Sequence, residues 1–322
     1  MSSYQKSRPS KAVWLSLPLL LSLGGCEAPL VLSGVEEELQ KPIRRTDQLH
    51  ALAASHQTYV AVGDYGVVLT RARQREGDAW SRQVLPGAPA LISLALCPDN
   101  TLVALSAERQ LWFSQDDALS WQSHPIPTEE NLLALTCAPD NRVWAVGSYS
   151  TLMVSEDLGQ SWDEQSLDED AMLNTLEFVD TSTAFVTGEY GMVARSDDAG
   201  ASWQLLEPMP GDFYPLSSAF LDAETAWVSG LDGMILHTQD GGETWRVEPT
   251  PVQAPLYGLY ADAEVQLALG DRGVVLQREG ERWVQVTLPS ATPAYLRSAL
   301  RTQADQVLIA GGQGSLFSLS IQ

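Results

Sequence analysis

SEDLGQSW, residues 155–162, returns as SDDAGASW at 196–203 and as TQDGGETW at 238–245. A worn copy, SQDDALSW, stands at 114–121, and fainter ones end at Trp80 and Trp283. The tryptophans Trp80, Trp121, Trp162, Trp203, Trp245 and Trp283 fall 41, 41, 41, 42 and 38 residues apart. A fixed period of this size marks an array of supersecondary units, each too small to bury its own faces.

A second phrase keeps the same period: a β-rich run, Gly-x-x-Gly, and another β-rich run. Its copies begin at Val62 (VGDYGVVLT), Val146 (VGSYSTLMVS), Thr187 (TGEYGMVARS), Ser229 (SGLDGMILHT), Leu269 (LGDRGVVLQR) and Ala310 (AGGQGSLFSL). A degenerate copy, LSAERQLWFS from Leu105, fills the gap and makes seven units. The unit at residues 171–210 reads MLNTLEFV, AFVTG, GMVARS and SWQLLEP, separated by turn residues. Four short apolar or alternating runs are four antiparallel strands. Glycine at the turns supplies φ > 0 without steric cost. The fold class that follows is all-β: a seven-bladed β-propeller of four-stranded antiparallel blades over residues 48–322.

The last unit runs out before its outermost strand. Residues 28–35, APLVLSGV, are strand-like and precede the first full unit. An open ring exposes unpaired edges, so this segment is expected to complete the last blade and close the ring. Residues 26–47 then read as a tether carrying that closing strand.

Residues 1–25 read as a lipoprotein signal peptide. Lys6, Arg8 and Lys11 precede a short apolar run, and LGGC ends at Cys26. The run is too short to span a bilayer, and small residues before a cysteine mark a lipidation site. Cys26 is therefore the expected lipid anchor. Glu27, and not Asp, follows it, which points to the outer membrane with the domain facing the periplasm. Removing the leader takes the net charge from −22 to −25, since 16 Lys and Arg then face 41 Asp and Glu. Such a surface repels nucleic acid and anionic headgroups. A membrane protein or membrane-complex subunit is the expected partner.

Cys97 and Cys137 sit in adjacent units, in LALCPD and LTCAPD, one residue out of register. They read either as two buried thiols facing apart or as a disulfide, which an oxidising compartment permits.

Catalytic constellations are scarce. His50, His56, His124 and His237 have no metal-ligand spacing, and the chain has no Cys-x-x-Cys, G-x-S-x-G or P-loop. No cofactor, metal or catalytic residue is expected. The recurring aspartates Asp116, Asp157, Asp198 and Asp240, with Trp121, Trp162, Trp203 and Trp245, form the Asp-box, S/T-x-D-x-G-x-x-W. Recurrence in blade after blade assigns them to architecture: Asp accepts turn N–H groups and Trp plugs between sheets. Sialidases resemble the chain in these boxes alone. Their arginine triad has no counterpart, KPIRR at 41–45 being the nearest text. A carbohydrate-active or other ligand-processing propeller is the alternative function.

The alternation of VG-x-x-G with S-x-D-x-G-x-x-W, carried for example by Gly188, Gly191, Ser196, Asp198, Gly200 and Trp203, resembles the photosystem II assembly/stability factor family over nearly the whole mature chain. The resemblance implies a seven-bladed, non-enzymatic scaffold that binds a newly made membrane subunit through an arginine-rich patch. Arg71, Arg73, Arg75 and Arg82 cluster in the first unit, although the surface as a whole is acidic. With first strands lining the channel, the Gly-x-x-Gly turns share one face. The expected docking residues are Asp64, Tyr65, Tyr149, Glu189, Tyr190, Asp232, Asp271 and Arg272.

Overall fold

A computed structural model describes residues 33–74, 79–211 and 213–321. Among them, 27 strands form seven antiparallel sheets, six of four strands and one of three. Each sheet takes its strands in chain order from the channel outward, as in blade 3: Leu132–Cys137, Val143–Gly147, Thr151–Ser155 and Asp163–Ser166. Its second strand, VWAVG, is buried at every position, while the outermost, DEQS, is largely exposed. The contrast follows from radial stacking. A mid-blade strand is covered on both faces by neighbouring blades, so its sequence is continuously apolar, whereas the rim strand meets water on both.

Seven apolar clusters fill the seven gaps between blades. The Asp-box tryptophan of each blade packs into the gap shared with the preceding one. Trp121 joins the cluster of blades 1 and 2, Trp162 that of blades 2 and 3, and Trp203 that of blades 3 and 4. Trp245 and Trp283 continue the series, and Trp80 seals blade 1 against blade 7.

The ring closes through a linker. In blades 1, 3 and 6 the N–H at the second glycine position of Gly-x-x-Gly donates to the linker that enters the next blade. The bonds are Gly66 to Pro89 O (2.6 Å), Ser150 to Ala171 O (2.7 Å) and Gly273 to Ala294 O (2.7 Å). In blade 7, Gly314 N–H donates to Asp47 O at 2.8 Å, on the segment that enters blade 1. Leu308 and Ala310 then pack with Leu49, Leu52 and Tyr59.

Blade 7 has three strands among the described residues, Leu296–Gln303, Gln306–Gly311 and Leu316–Ser320. Of the segment expected to complete it, residues 28–32 lie outside the described residues. Ser33–Gln40 is a helix, so Val35 is helical where the pattern pointed to strand. Glu36 in the first turn favours that choice, because carboxylates stabilise a helix N-terminus. No described helix is long and apolar enough to cross a membrane.

Cys97 and Cys137 form a disulfide with Cα atoms 5.1 Å apart. The one-residue offset that would turn them apart within a single sheet is what joins them between two. In stacked sheets, opposite faces of neighbouring blades look into the same gap, and both cysteines lie in the cluster between blades 2 and 3.

Candidate functional site

The inner strand of every blade carries one extra residue near its start. In blade 1, Leu49 pairs with Gly63 and Ala51 with Val62, which leaves His50 unmatched. The same register shift leaves out Ile92, Leu133, Asn174, Leu216, Tyr257 and Arg297. A β-bulge re-aims its extra side chain, and all seven of these line the central channel, a cavity of about 300 Å³. They stand at the end where the Gly-x-x-Gly turns and the linkers lie.

The leading glycine of each phrase makes room for this arrangement. A Cβ on Gly63 would lie 2.0 Å from Gln48 O, one on Gly147 1.9 Å from Asn131 O, and one on Gly311 2.0 Å from Tyr295 O. Their backbone is extended, so the requirement is space for the linker carbonyl and not a left-handed φ. The left-handed positions come later in the turn, at Tyr65 (φ 59°), Tyr149 (51°), Tyr190 (59°), Asp232 (58°) and Arg272 (52°). For a side-chain-bearing residue this conformation costs about 1–2 kcal/mol. It projects the side chain outward: Tyr65, Tyr149 and Tyr190 are 72%, 60% and 74% exposed.

The docking residues expected from sequence thus divide. Tyr65, Tyr149, Tyr190 and Asp232 stand free at turn tips on the channel-mouth face, and Arg272 stands at the same tip position with its side chain turned to Asp271. Several turn acids are engaged by the fold itself. Glu189 accepts Met172 N–H at 3.0 Å and the Tyr214 hydroxyl at 2.9 Å. Asp64 pairs with His50 Nε2 at 3.0 Å, and Asp271 with Arg272 at 3.3 Å. In the neighbouring turns, Glu108 accepts Ala90 N–H and Ser148 Oγ accepts Asn131 N–H. Ser148, Glu189 and Glu108 thus clamp the incoming linkers of their blades.

The Asp-boxes lie at the opposite end of the blades. Asp157 Oδ1 accepts Ser161 N–H at 2.8 Å and its Oδ2 accepts the Ser161 hydroxyl at 2.7 Å. Asp116, Asp198 and Asp240 repeat the pattern with Ser120, Ser202 and Thr244. Backbone and hydroxyl donors from Ser161 hold Asp157 below the usual carboxylate range, and the Ser202 hydroxyl and N–H do the same to Asp198. Desolvation pushes Asp116 and Asp240 upward, and their turn donors more than reverse it. Each carboxylate is consumed by its own turn.

The first-blade arginines are likewise occupied. Arg71 lies over the rings of Tyr59 and Trp80, and Arg73 lies over Tyr59 and donates to Ser55 O at 2.7 Å. Arg82 forms a buried ion pair with Asp47. Arg75 and Cys26 lie outside the described residues.

The channel itself was not anticipated as a site. At its mouth sit His50, Tyr257 and Arg297. Toward the other end Glu177 accepts the Ser218 hydroxyl and Phe220 N–H, at 3.1 Å for the latter. Burial raises the Glu177 pKa, and these donors offset the rise only in part. The sequence signal was present as the residue that follows the first buried position of each inner strand. It is invisible without the bulge, which shifts that residue off the alternation. Among the described residues no cluster of three metal-ligating side chains occurs.

Fold and turn chemistry together define an Asp-box β-propeller with a structured, tyrosine-tipped face around its channel mouth. The family model described as Photosynthesis system II assembly factor YCF48 matches residues 49–197 and 161–256, and the chain belongs to that family. Solved structures with the same fold include "YCF48 bound to D1 peptide", at 14% identity and TM-score 0.71, covering 88% of this chain and 95% of that one. YCF48 from Cyanidioschyzon merolae matches at 15% identity and TM-score 0.69, covering 85% and 96%. Virginiamycin B lyase from Staphylococcus aureus matches at 10% identity and TM-score 0.75, covering 87% and 96%. No curated protein matches the chain.

Proposed function

We propose that this chain is a non-enzymatic, lipid-anchored propeller, facing the periplasm from the outer membrane, that holds a membrane-protein subunit during assembly of a complex. Family membership supports a binding or assembly scaffold in general. A relative of the same fold carries a D1 peptide, which supports a polypeptide as the bound species here. The observation that carries the reading is the exposure of Tyr65, Tyr149 and Tyr190 at left-handed turn tips on one face. Large amphipathic side chains held rigidly at a surface are suited to interface contacts. The Cys97–Cys137 bridge supports an oxidising compartment, and Cys26 supplies the anchor. The sialidase-like alternative needs convergent arginines, whereas the channel lining includes one, Arg297.

Crosslinking and pull-down from native membranes tests the proposal. A membrane-protein subunit is the expected catch, and the Tyr65→Ala, Tyr149→Ala, Tyr190→Ala triple variant is expected to lose it while staying folded. Undiminished capture by the folded triple variant would show that docking occurs elsewhere.

A further inference from the structure

The channel mouth carries hydrogen-bond donors that the protein leaves unused. Arg297 projects from the inner-strand bulge of blade 7 and is exposed to the channel. It has no ion-pair or hydrogen-bond partner among the described residues, in contrast to Arg82, Arg278 and Arg301, which are all paired. Tyr257, the bulge residue of the adjacent blade, meets Tyr295 edge-on with ring centroids 6.1 Å apart. Neither phenol hydroxyl has a protein partner among the described residues. Gly258 lets the two inner strands approach this closely, since a Cβ there would lie 1.9 Å from Arg297 O.

The surrounding charges leave the guanidinium available. The acid near the mouth, Asp64, is held by His50 Nε2, and His50 in turn stacks beside Tyr295 at 6.5 Å. Burial lowers the His50 pKa, with Arg297 adding to the effect against Asp64, which disfavours a competing imidazolium. Glu177, farther down the channel, is pushed toward its neutral form by burial. The channel walls around Arg297 partly desolvate it and lower its pKa. A guanidinium partly withdrawn from bulk water and lacking a counter-ion gains from a ligand that brings one.

We propose that Arg297, with the hydroxyls of Tyr257 and Tyr295, forms a binding site for a single carboxylate group at the channel mouth. A planar guanidinium fork matches a carboxylate in two parallel hydrogen bonds. A single guanidinium at the site, in a chain of net charge −22, suits a monoanionic group better than a phosphate dianion. A channel of about 300 Å³ admits a small organic acid or one acidic side chain. The site is separate from the tyrosine-tipped turns, and its test reads carboxylate binding and not partner capture.

Calorimetric titration of the full chain at constant ionic strength tests the proposal, with propionate, a blocked pentapeptide carrying a single glutamate, and inorganic phosphate as probes. Saturable 1:1 binding of propionate or of the peptide is expected, and which one binds distinguishes a free acid from a protein side chain. Arg297→Gln should weaken that binding about tenfold or more, whereas Arg282→Gln, an equal charge change on the exposed rim of blade 6, should not. Tyr257→Phe, which keeps the ring, should weaken it about two- to tenfold and carries the test alone should Arg297→Gln fail to fold. Absence of saturable carboxylate binding overturns the proposal. So does unchanged affinity in folded Arg297→Gln or, where that variant does not fold, in Tyr257→Phe, and so does tighter binding of phosphate than of either carboxylate.

Discussion

Arg82 grips the buried carboxylate of Asp47 through both terminal nitrogens, at 2.8 and 3.0 Å. Asp47 belongs to the segment that enters blade 1, and its carbonyl also receives Gly314 N–H from blade 7. Arg82 Nη1 donates further to Pro42 O at 3.1 Å. One ion pair thus ties the first blade, the entering segment and the last blade together where blade 7 lacks an outer strand among the described residues. Removing one partner leaves a buried charge uncompensated, at a cost of about 3–5 kcal/mol. Arg82→Ala and Asp47→Ala should each lower the urea midpoint by that equivalent. Replacing both by apolar residues, as in Asp47→Leu with Arg82→Met, should recover much of the loss. A double variant as unstable as the sum of the singles would mean that the pair's geometry, and not its charge, closes the ring.

The Cys97–Cys137 bridge spans 40 positions and joins neighbouring inner strands. Constraining a loop of that length in the unfolded chain contributes about 4 kcal/mol in the chain-entropy account, with measured values typically about 2–4. Cys97→Ala with Cys137→Ala should reduce stability by about that amount without changing the blade count. Equilibrium denaturation with and without a thiol reductant measures it for the wild type. An unchanged midpoint on reduction, with free thiols verified by mass after alkylation, would contradict this.

The blades were legible because two signals repeat in phase. The Asp-box needs Asp, a left-handed residue and Trp at set spacing, and the mid-blade strands are apolar throughout because both faces are covered. Trp144, fully buried between blades 3 and 4, follows from that rule. The tyrosine tips were legible as well, through the phrases GDYG, GSYS and GEYG. The channel mouth was not, because a single-residue bulge in LHALAA or LRSALRTQ leaves no mark on composition or period. The disulfide was obscured by reading register within one sheet when the relevant geometry lay between two. The linker clamp at Glu189 was read as a docking acid, since a carboxylate accepting a backbone N–H reads the same in sequence as one facing water.

Between blades 5 and 6, Glu248 is buried with His237 at 2.9 Å and Arg278 at 2.9 Å, and it accepts Trp283 Nε1–H at 2.9 Å. The His237 ring stacks on Trp227, which Arg278 also covers. Desolvation would raise the Glu248 pKa, but the hydrogen bonds from His237 and Arg278 override it and hold the carboxyl at about 2. The folded value lies below the unfolded one. The stabilisation is therefore complete above about pH 4.5 and is lost as pH falls from there toward 2. Asp262, held at about 2 against desolvation by the Glu264 N–H and by Arg301, behaves alike. Thermal melts should show a decline across that window, and Glu248→Gln should be destabilised at pH 7 with a shallower decline below pH 4.5. An unchanged slope in the variant would show that other carboxylates carry the acid sensitivity.

The leading glycines make the sharpest steric prediction. An alanine at Gly147 places its Cβ 1.9 Å from Asn131 O and 2.8 Å from Leu132 Cα, both backbone atoms that cannot rotate away. Relief requires the linker to move, which breaks the Ser148 N–H to Asn131 O bond (2.9 Å) and displaces the Leu133 bulge from the channel wall. Overpacking of this kind costs about 1–3 kcal/mol, and the lost hydrogen bond adds about 1 kcal/mol. Gly87 is a fair comparison, because an added Cβ meets nothing within 4 Å there, although its φ of +78° is unfavourable for alanine. Gly147→Ala should therefore be destabilised by about 2–4 kcal/mol, against about 1–2 kcal/mol for Gly87→Ala. Chemical denaturation of the two variants decides it. Equal losses would mean that the linker yields freely, and the bulged channel mouth would then be a soft feature of the ring.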